Sequence, residues 1–239
     1  MGRTWVIPDS HGCLFSFRTL VEDRIGLNPG DKLILLGDYI DRGPDSMRLI
    51  DYIIQLSADG YDVTAIRGNH EDFLVKVWES ANKPWAFLKI RNHHKMRKDW
   101  MESGGDTTLR SFGVTDMKLF PVSYIEWIKS LPLYLELEKY LIVHAGFNFE
   151  ADDIFADEQA MMWIRDYKID PEKTGNRRLI HGHVPVPLDF IHASLESEIY
   201  HFIALDNGVY MTNRPGFGNL MALELSTLEL LAQPNLDMQ

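Results

Sequence analysis

Short apolar segments alternate with polar motifs along the first third of the chain. Residues 5–7, 33–36 and 63–66 are apolar runs of strand type, and a polar motif follows each of them. After each motif, apolar residues recur at the spacing of a helix that buries one face. The pattern predicts three strand–helix units, whose strands pair in parallel within an α/β fold. The residues at helical spacing are Phe17, Leu20 and Val21, then Ile50, Ile53 and Ile54, then Phe73, Leu74 and Val77.

The pattern changes over residues 81–120. This segment is rich in aromatic and basic residues and is interrupted by two adjacent glycines. We predict a partly helical cap or insertion whose aromatic residues form a small core of their own. Its distinctive residues are Trp85, Phe87, Trp100, Phe112, Gly104 and Gly105, with a basic run that contains Lys89, Arg91, Lys95, Arg97 and Lys98.

The remainder of the chain has the features of a second, strand-rich part. Pro121 favours the start of a short helix, and residues 133–137 and 140–143 flank a polar pair as a predicted hairpin. The last third alternates short apolar strands with turns. A chain of 239 residues with 45% hydrophobic content is ordinary for one α/β domain, so we expect residues 1–239 to form a single domain.

Charge and cysteine content narrow the classes of function. The formal net charge is −11, which argues against a nucleic-acid partner because binding to a phosphate backbone needs a basic surface. Cys13 is the only cysteine and excludes an intrachain disulfide. The first apolar run is interrupted by Pro8 and is too short for a signal peptide or a membrane span. We therefore expect a cytoplasmic protein with no membrane partner.

The polar motifs carry metal-binding chemistry. Asp9 and His11 are two residues apart, so on an extended backbone their side chains point to the same side. Asp38 follows the next strand, roughly 30 residues later, as expected for a strand–helix–strand unit. Mixed carboxylate, imidazole and amide ligation suits manganese, iron or zinc. Two such ions about 3.5 to 4 Å apart favour an in-line displacement at phosphorus, with Asp38 as the bridge and Asn69, His144 and His183 as further ligands.

Five ordered motifs resemble those of the calcineurin-like metallophosphoesterases. D-x-H-G begins at Asp9, G-D-x-x-D-R-G at Gly37, G-N-H-E at Gly68, H-A-G at His144 and G-H-x-P at Gly182. Two weaker runs, at residues 100–105 and 163–165, resemble the bacterial members of the phosphoprotein phosphatase branch. The residues Pro8, Ser10 and Asn207 depart from that pattern.

The resemblance implies a fold and a metal centre. The fold would be a four-layer α/β/β/α sandwich of two packed mixed sheets. Two divalent metal ions would be bound, with manganese favoured and iron, zinc, nickel or cobalt as alternatives. Asp38 would bridge the two ions. One ion would be held by Asp9, His11 and Asp38, and the other by Asp38, Asn69, His144 and His183.

The resemblance also implies how the reaction proceeds. A metal-bound hydroxide would attack phosphorus directly, and His70, oriented by Asp41, would protonate the leaving alkoxide. A carboxylate next to an imidazole favours its charged form, which makes this assignment physically sound. Arg42 and Arg165 would bind the phosphate oxygens, which a planar guanidinium grips with two N–H groups at once.

The sequence leaves the substrate open. The two weaker runs favour a serine/threonine protein phosphatase acting on phosphorylated proteins or small phosphate esters. The alternative is a symmetrical dinucleoside tetraphosphatase, which uses the same core motifs. A non-catalytic scaffold is the least favoured hypothesis, because all of the predicted ligands and His70 are present. Residues 81–120 are the expected location of substrate-selecting groups.

Overall fold

The computed structural model describes residues 2–82, 87–197 and 199–238. Trp85 and the side chains of Phe87, Lys89 and Arg91, named above as part of the predicted insertion, lie outside the described residues. In the described part of the chain, no helix is long and apolar enough to cross a membrane.

The first part of the chain contains the three predicted strand–helix units. Each apolar run forms a strand, and each is followed by a helix, which confirms the prediction from hydrophobic spacing. The elements are β1 (Thr4–Ile7), α1 (Leu14–Arg18), which continues as a π-helical segment (Thr19–Ile25), β2 (Lys32–Leu35), α2 (Ser46–Ala58), β3 (Asp62–Ala65) and α3 (Asn69–Asn82).

Helices precede a second set of strands in the rest of the chain. The helical part comprises α4 (Phe87–Trp100), a π-helical turn (Met101–Gly105), α5 (Asp106–Ser111), a 3₁₀ turn (Met117–Leu119) and α6 (Val122–Ser130). It is followed by β4 (Tyr134–Glu136), β5 (Tyr140–Val143), α7 (Glu158–Trp163), β6 (Arg178–His181), α8 (Leu188–Glu196), β7 (Phe202–Ala204), β8 (Asn219–Glu224) and β9 (Leu230–Pro234).

The strands form two mixed sheets. The first has the order β3-β2-β1-β8-β9, with β1, β2 and β3 parallel and β8 antiparallel to both β1 and β9. The second has the order β4-β5-β6-β7, with β5, β6 and β7 parallel. Strands β4 and β5 pair antiparallel, which confirms the predicted hairpin.

Alternate residues of β1 enter two different cores. Trp5 and Ile7 pack with buried residues of α1, α2 and α3 on one face of the first sheet. Val6 points to the opposite face, as strand geometry requires, and packs with Ile142 and Ile180 of the second sheet. The two sheets therefore pack face to face across a hydrophobic core.

A third cluster covers the outer face of the second sheet. Leu141 and Val143 of β5 pack there with Phe147 and with Met161 of α7. The layers therefore run from helices through the first sheet and the second sheet to α7 and its preceding loop. This order confirms the predicted four-layer α/β/β/α sandwich.

The prediction that the aromatic residues of segment 81–120 form a core of their own is wrong for Trp100 and Phe112, whose side chains the structure describes. Trp100, Leu109 and Phe112 belong to the same hydrophobic core as β1 and α1 to α3. Helix α4 lies against α3, and α5 lies against α2. The described part of the segment is thus built into the helical layer that supports the first sheet, and the single-domain assignment stays a prediction.

Candidate active site

The polar motifs meet where β1 and β2 end. The backbone N–H groups of Ser10 and His11 donate to the carbonyl of Asp38, at 3.1 and 2.8 Å. Among the described residues, seven non-glycine residues have positive φ, and five of them lie in these motifs and in the G-H-x-P motif: His11, Asp38, Asp41, Arg42 and His183. Such strained backbone conformations persist only where the surrounding structure enforces them, and they cluster at functional sites.

The first candidate metal-binding group consists of His11, Asp38 and His70. One ligand atom from each lies within 4.8 Å of the other two, and all three residues are buried. His11 Nδ1 lies 2.9 Å from the carbonyl of Ile40, so it carries the donated hydrogen and Nε2 keeps a lone pair. This Nε2 lies 3.8 Å from Asp38 Oδ2, a separation that leaves room for a cation between the two atoms.

The second group consists of Asp38, His144 and His183. His144 Nδ1 donates to the carbonyl of Leu36 at 2.8 Å, which leaves the Nε2 lone pair of a neutral ring. That Nε2 lies 2.9 Å from Asn69 Oδ1 and 3.5 Å from Asp38 Oδ1. Three acceptor atoms therefore converge with no proton between them, an arrangement that a divalent cation satisfies.

His183 adds a further acceptor atom to the second group. Its Nδ1 lies 2.8 Å from Asn69 Oδ1. Its Nε2 is buried and has no hydrogen-bond partner among the described residues. Asn69 Oδ1 also lies beside His144 Nε2, so Nδ1 is the His183 atom that joins the converging acceptor atoms of this group.

Asp9 lies beside these groups without belonging to either of them. Both of its carboxylate oxygens accept the backbone N–H of His183, each at 3.1 Å. Gly182 permits this approach, because a Cβ at that position would lie 2.1 Å from Asp9 Oδ1. The structure thus brings Asp9 to the site, while its role as a metal ligand stays a prediction.

Burial sets the protonation of the candidate ligands. It lowers the pKa of His144, and it lowers the pKa of His183 to about 3. It raises the pKa of Asp9. Burial would also raise the pKa of Asp38, but the imidazoles around it, His144 first, outweigh burial and hold that pKa below its usual value. Neutral imidazoles and an ionised carboxylate are the forms that bind a divalent cation.

A buried carboxylate holds the imidazole of His70. Nδ1 of His70 lies 2.6 Å from Asp41 Oδ2, and Asp41 also accepts from Trp100 Nε1 at 3.0 Å and from Thr108 Oγ1 at 2.6 Å. Burial lowers the pKa of His70, but the charges of Asp38 and Asp41 outweigh it and raise that pKa above its ordinary value. The two carboxylates therefore favour the protonated His70 that a general acid requires, whereas the charge of Arg42 opposes protonation.

Two arginines occupy different settings at the site. Arg42 places a guanidinium nitrogen 3.2 Å from His70 Nε2, and the guanidinium lies 4.1 Å from the ring centroid of Tyr210. Arg165 is exposed. After burial and the His144 ring, the charge of Arg165 also lowers the pKa of His183, which places Arg165 within electrostatic range of the second group.

Several supporting residues were missed by sequence reasoning. Glu71 accepts the backbone N–H groups of Asp38 and Tyr39, each at 2.8 Å, and so shapes the loop that presents the shared carboxylate. Asp206 is buried, and its Oδ2 has no hydrogen-bond partner among the described residues. Glu71 ends the G-N-H-E motif and could have been found there, whereas nothing local in the sequence marks Tyr210 as a neighbour of Arg42.

Residues 2–212 match the family model described as calcineurin-like phosphoesterase. The chain belongs to the calcineurin-like phosphoesterase family. This confirms the resemblance inferred from the five motifs, and the two ligand groups sharing Asp38 are consistent with a metal-dependent member.

Curated relatives carry names that specify a substrate. The symmetrical bis(5'-nucleosyl)-tetraphosphatase of Nitrosomonas europaea is 32% identical over 200 residues, covering 82% of this chain. The chain spans 62% of that relative's length. The asymmetrical bis(5'-nucleosyl)-tetraphosphatase of Bacillus thuringiensis is 24% identical over 264 aligned positions, covering 96% of this chain and 93% of the relative.

A solved structure shares the fold. The protein serine/threonine phosphatase from Saccharomyces cerevisiae superimposes with a TM-score of 0.62 at 15% identity, covering 98% of this chain and 80% of that one. At this level of identity the likeness shows the fold alone, and it confirms the predicted metallophosphoesterase architecture.

Proposed function

We propose that the protein is a metal-dependent hydrolase that cleaves dinucleoside tetraphosphates symmetrically. The reaction class rests on one observation: two candidate ligand groups share Asp38, and His70 of the first group is paired with Asp41. We assign His70 as the acid, and Asp9 takes its place as a ligand. The substrate rests on the relatives, because both are named for hydrolysis of bis(5'-nucleosyl) tetraphosphates. These names favour this substrate over the phosphoprotein that the sequence favoured. The symmetrical relative has the higher identity, which favours cleavage into two nucleoside diphosphates.

The metal ligands are proposed as the sequence motifs assign them. Asp9, His11 and Asp38 would hold one ion, and Asn69, His144 and His183 would complete the second site around Asp38. When bound, two divalent ions neutralise charge on the phosphate chain and lower the pKa of a water nucleophile. Manganese is the first ion to test, followed by iron, zinc, nickel and cobalt, since all suit mixed imidazole and carboxylate ligation.

The remaining residues act on the phosphate chain itself. His70, protonated and held by Asp41 at 2.6 Å, donates its Nε2 proton to the oxygen that leaves phosphorus. Arg42 approaches that same nitrogen to 3.2 Å, so a phosphate group bound there would contact both side chains. Arg165, which is exposed, would bind a more distant phosphate.

A comparison of two substrates tests the proposal. The manganese-loaded protein is given diadenosine tetraphosphate and, separately, a phosphoserine peptide, and kcat/KM is measured for each. We expect kcat/KM for the dinucleotide to exceed that for the peptide at least tenfold, with ADP as the product. Rapid release of phosphate from the peptide without cleavage of the dinucleotide would restore the protein phosphatase hypothesis.

A further inference from the structure

A cavity of about 420 Å³ opens beside the candidate active site. It extends from residues that follow the carboxyl ends of β5 and β6 to residues that precede and begin β7. Ala145, which lines it, directly follows His144, and the lining residues His181 and Val184 flank Gly182 and His183. Lining residues of the cavity are therefore sequence neighbours of two proposed metal ligands. The volume of the cavity falls in the range of small-molecule sites.

Aromatic rings form one wall of this cavity. Tyr200 and Phe202 lie 5.3 Å apart between ring centroids, and Phe190 lies 6.0 Å from Tyr200. His181 continues the wall at 5.6 Å from Phe202. Flat aromatic rings of this kind stack on nucleobases irrespective of base identity.

Two large hydrophobic side chains at the mouth of the cavity are exposed to solvent. Tyr200 is 40% exposed and Ile199 is 84% exposed, although both are large hydrophobic side chains. Exposed apolar surface around a concave site is a mark of a ligand-binding surface. A ligand that stacks on Tyr200 would remove this surface from water.

Charge distinguishes this cavity from its larger neighbour. The aromatic cavity is lined by Arg165 and Lys168, and its described lining contains no carboxylate. A neighbouring cavity of about 830 Å³ shares Tyr167 and Lys168 with it. The larger cavity is lined by four carboxylates, those of Glu150, Asp157, Asp166 and Asp170. The carboxylates of the larger cavity disfavour a polyphosphate, whereas Arg165, which lines only the smaller cavity, favours one there.

We propose that the aromatic cavity binds one nucleobase of the substrate by stacking on Tyr200, with Arg165 at its rim contacting the phosphate chain that leads to the active site. This inference rests on the proposed function and names the group that selects a nucleotide over a simple phosphate ester. The sequence placed substrate selection in residues 81–120, whereas this cavity is formed by residues 145–204.

Binding measurements test the cavity separately from catalysis. The dissociation constants of ADP and of inorganic pyrophosphate are measured by titration calorimetry on the manganese-loaded protein. Because stacking on an aromatic side chain contributes measurably to base binding, we expect ADP to bind at least about fivefold more tightly than pyrophosphate. Tyr200→Ala should abolish that preference, and Tyr200→Phe should keep it.

Leu119→Ala is a control for Tyr200→Ala, and Ile199→Asp is a second test of the cavity. Leu119→Ala removes an apolar side chain that is 69% exposed and lies outside the cavity lining, so it should leave the ratio of the two dissociation constants unchanged. Ile199→Asp changes a side chain that is too exposed to affect folding, and its carboxylate at the cavity mouth should weaken ADP binding more than pyrophosphate binding. Normal circular dichroism of each variant verifies its fold.

The outcomes separate this inference from the proposed function. Selective ADP binding through Tyr200, without hydrolysis of diadenosine tetraphosphate, would support the cavity and overturn the proposed substrate. Hydrolysis of the dinucleotide with equal affinity for ADP and pyrophosphate would overturn the cavity alone. The nucleobase site would also be overturned if Tyr200→Ala weakened the binding of a phosphopeptide and left the preference for ADP over pyrophosphate intact.

Discussion

Replacing Gly104 by alanine tests whether the segment after α4 positions the phosphate-binding arginine. Gly104 has φ of +107°, and its carbonyl accepts the backbone N–H of Arg42 at 3.3 Å. A Cβ at this position would lie 2.6 Å from the Arg42 backbone nitrogen and 2.9 Å from its Cγ. Neither contact is sterically allowed, so the alanine forces Arg42 and the segment after α4 apart.

The structure provides a control that separates strain from displacement. Gly60 has φ of +92°, and a Cβ there would meet no atom within 4 Å. Alanine at either position therefore carries the cost of a left-handed backbone, about 1 to 3 kcal/mol. Only Gly104→Ala also moves Arg42. Since a displacement of about 1 Å in a positioned group can cost roughly 100-fold in rate, we expect kcat/KM to fall about 10- to 100-fold.

Two assays measure these effects independently. Urea unfolding should show both variants destabilised, Gly104→Ala by more because of its contacts with Arg42, and kcat/KM on diadenosine tetraphosphate should fall only for Gly104→Ala. The inhibition constant of inorganic phosphate should rise in parallel, because Arg42 is the proposed phosphate contact. If both variants keep wild-type kcat/KM, the segment does not position Arg42 and this prediction is wrong.

Three further predictions address the acid and the metals. His70→Asn should keep metal binding and lower kcat about 100- to 10,000-fold. The loss should be larger on an alkyl phosphate than on the dinucleotide, because the alkoxide is the poorer leaving group. An unchanged kcat would contradict the assignment of His70 as the acid. Activity should fall as pH rises through the pKa of His70. Burial lowers this pKa, but Asp38 and Asp41 raise it by more, so Asp41→Asn should shift the alkaline limb of the pH–rate profile to lower pH. A limb that does not move would contradict the pairing of His70 with Asp41. Gly182→Ala places a Cβ 2.1 Å from Asp9 Oδ1 and should therefore reduce the amount of bound metal measured by elemental analysis. An unchanged metal content would contradict the assignment of Asp9 as a ligand.

The parts of the fold that follow from local patterns could be predicted from the sequence. The spacing of apolar residues predicted β1 to β3 and their helices, because each buries a periodic face. The hairpin of β4 and β5 followed from two apolar runs on either side of a short polar turn. The same patterns placed Asp9, Asp38 and Asn69 at strand ends, where the structure gathers them.

Contacts between distant parts of the chain could not be predicted in this way. Trp100 donates to Asp41 across 59 positions of sequence, and no local signal shows that an aromatic residue on α4 serves a carboxylate after β2. The aromatic cavity likewise joins residues after β5, after β6 and around β7. Such sites exist only once the sheets are assembled.

The preference for a protein phosphatase has a structural explanation. It relied on the runs at residues 100–105 and 163–165. Trp100 and Gly104 of the first run contact Asp41 and Arg42, and Trp163 of the second donates to Asp72 at 2.7 Å. These contacts support chemistry that any phosphate ester or anhydride requires. The two runs therefore carry information about the catalytic scaffold and little about the substrate.

Product analysis of diadenosine tetraphosphate after incubation with the manganese-loaded protein is the decisive test of the proposed metal-dependent symmetrical cleavage. We predict two ADP molecules for each dinucleotide consumed, loss of this activity when a chelator removes the ions, and its return when manganese is restored. Failure to form ADP, or ADP formation that continues unchanged after the metal is removed, would contradict the proposed function.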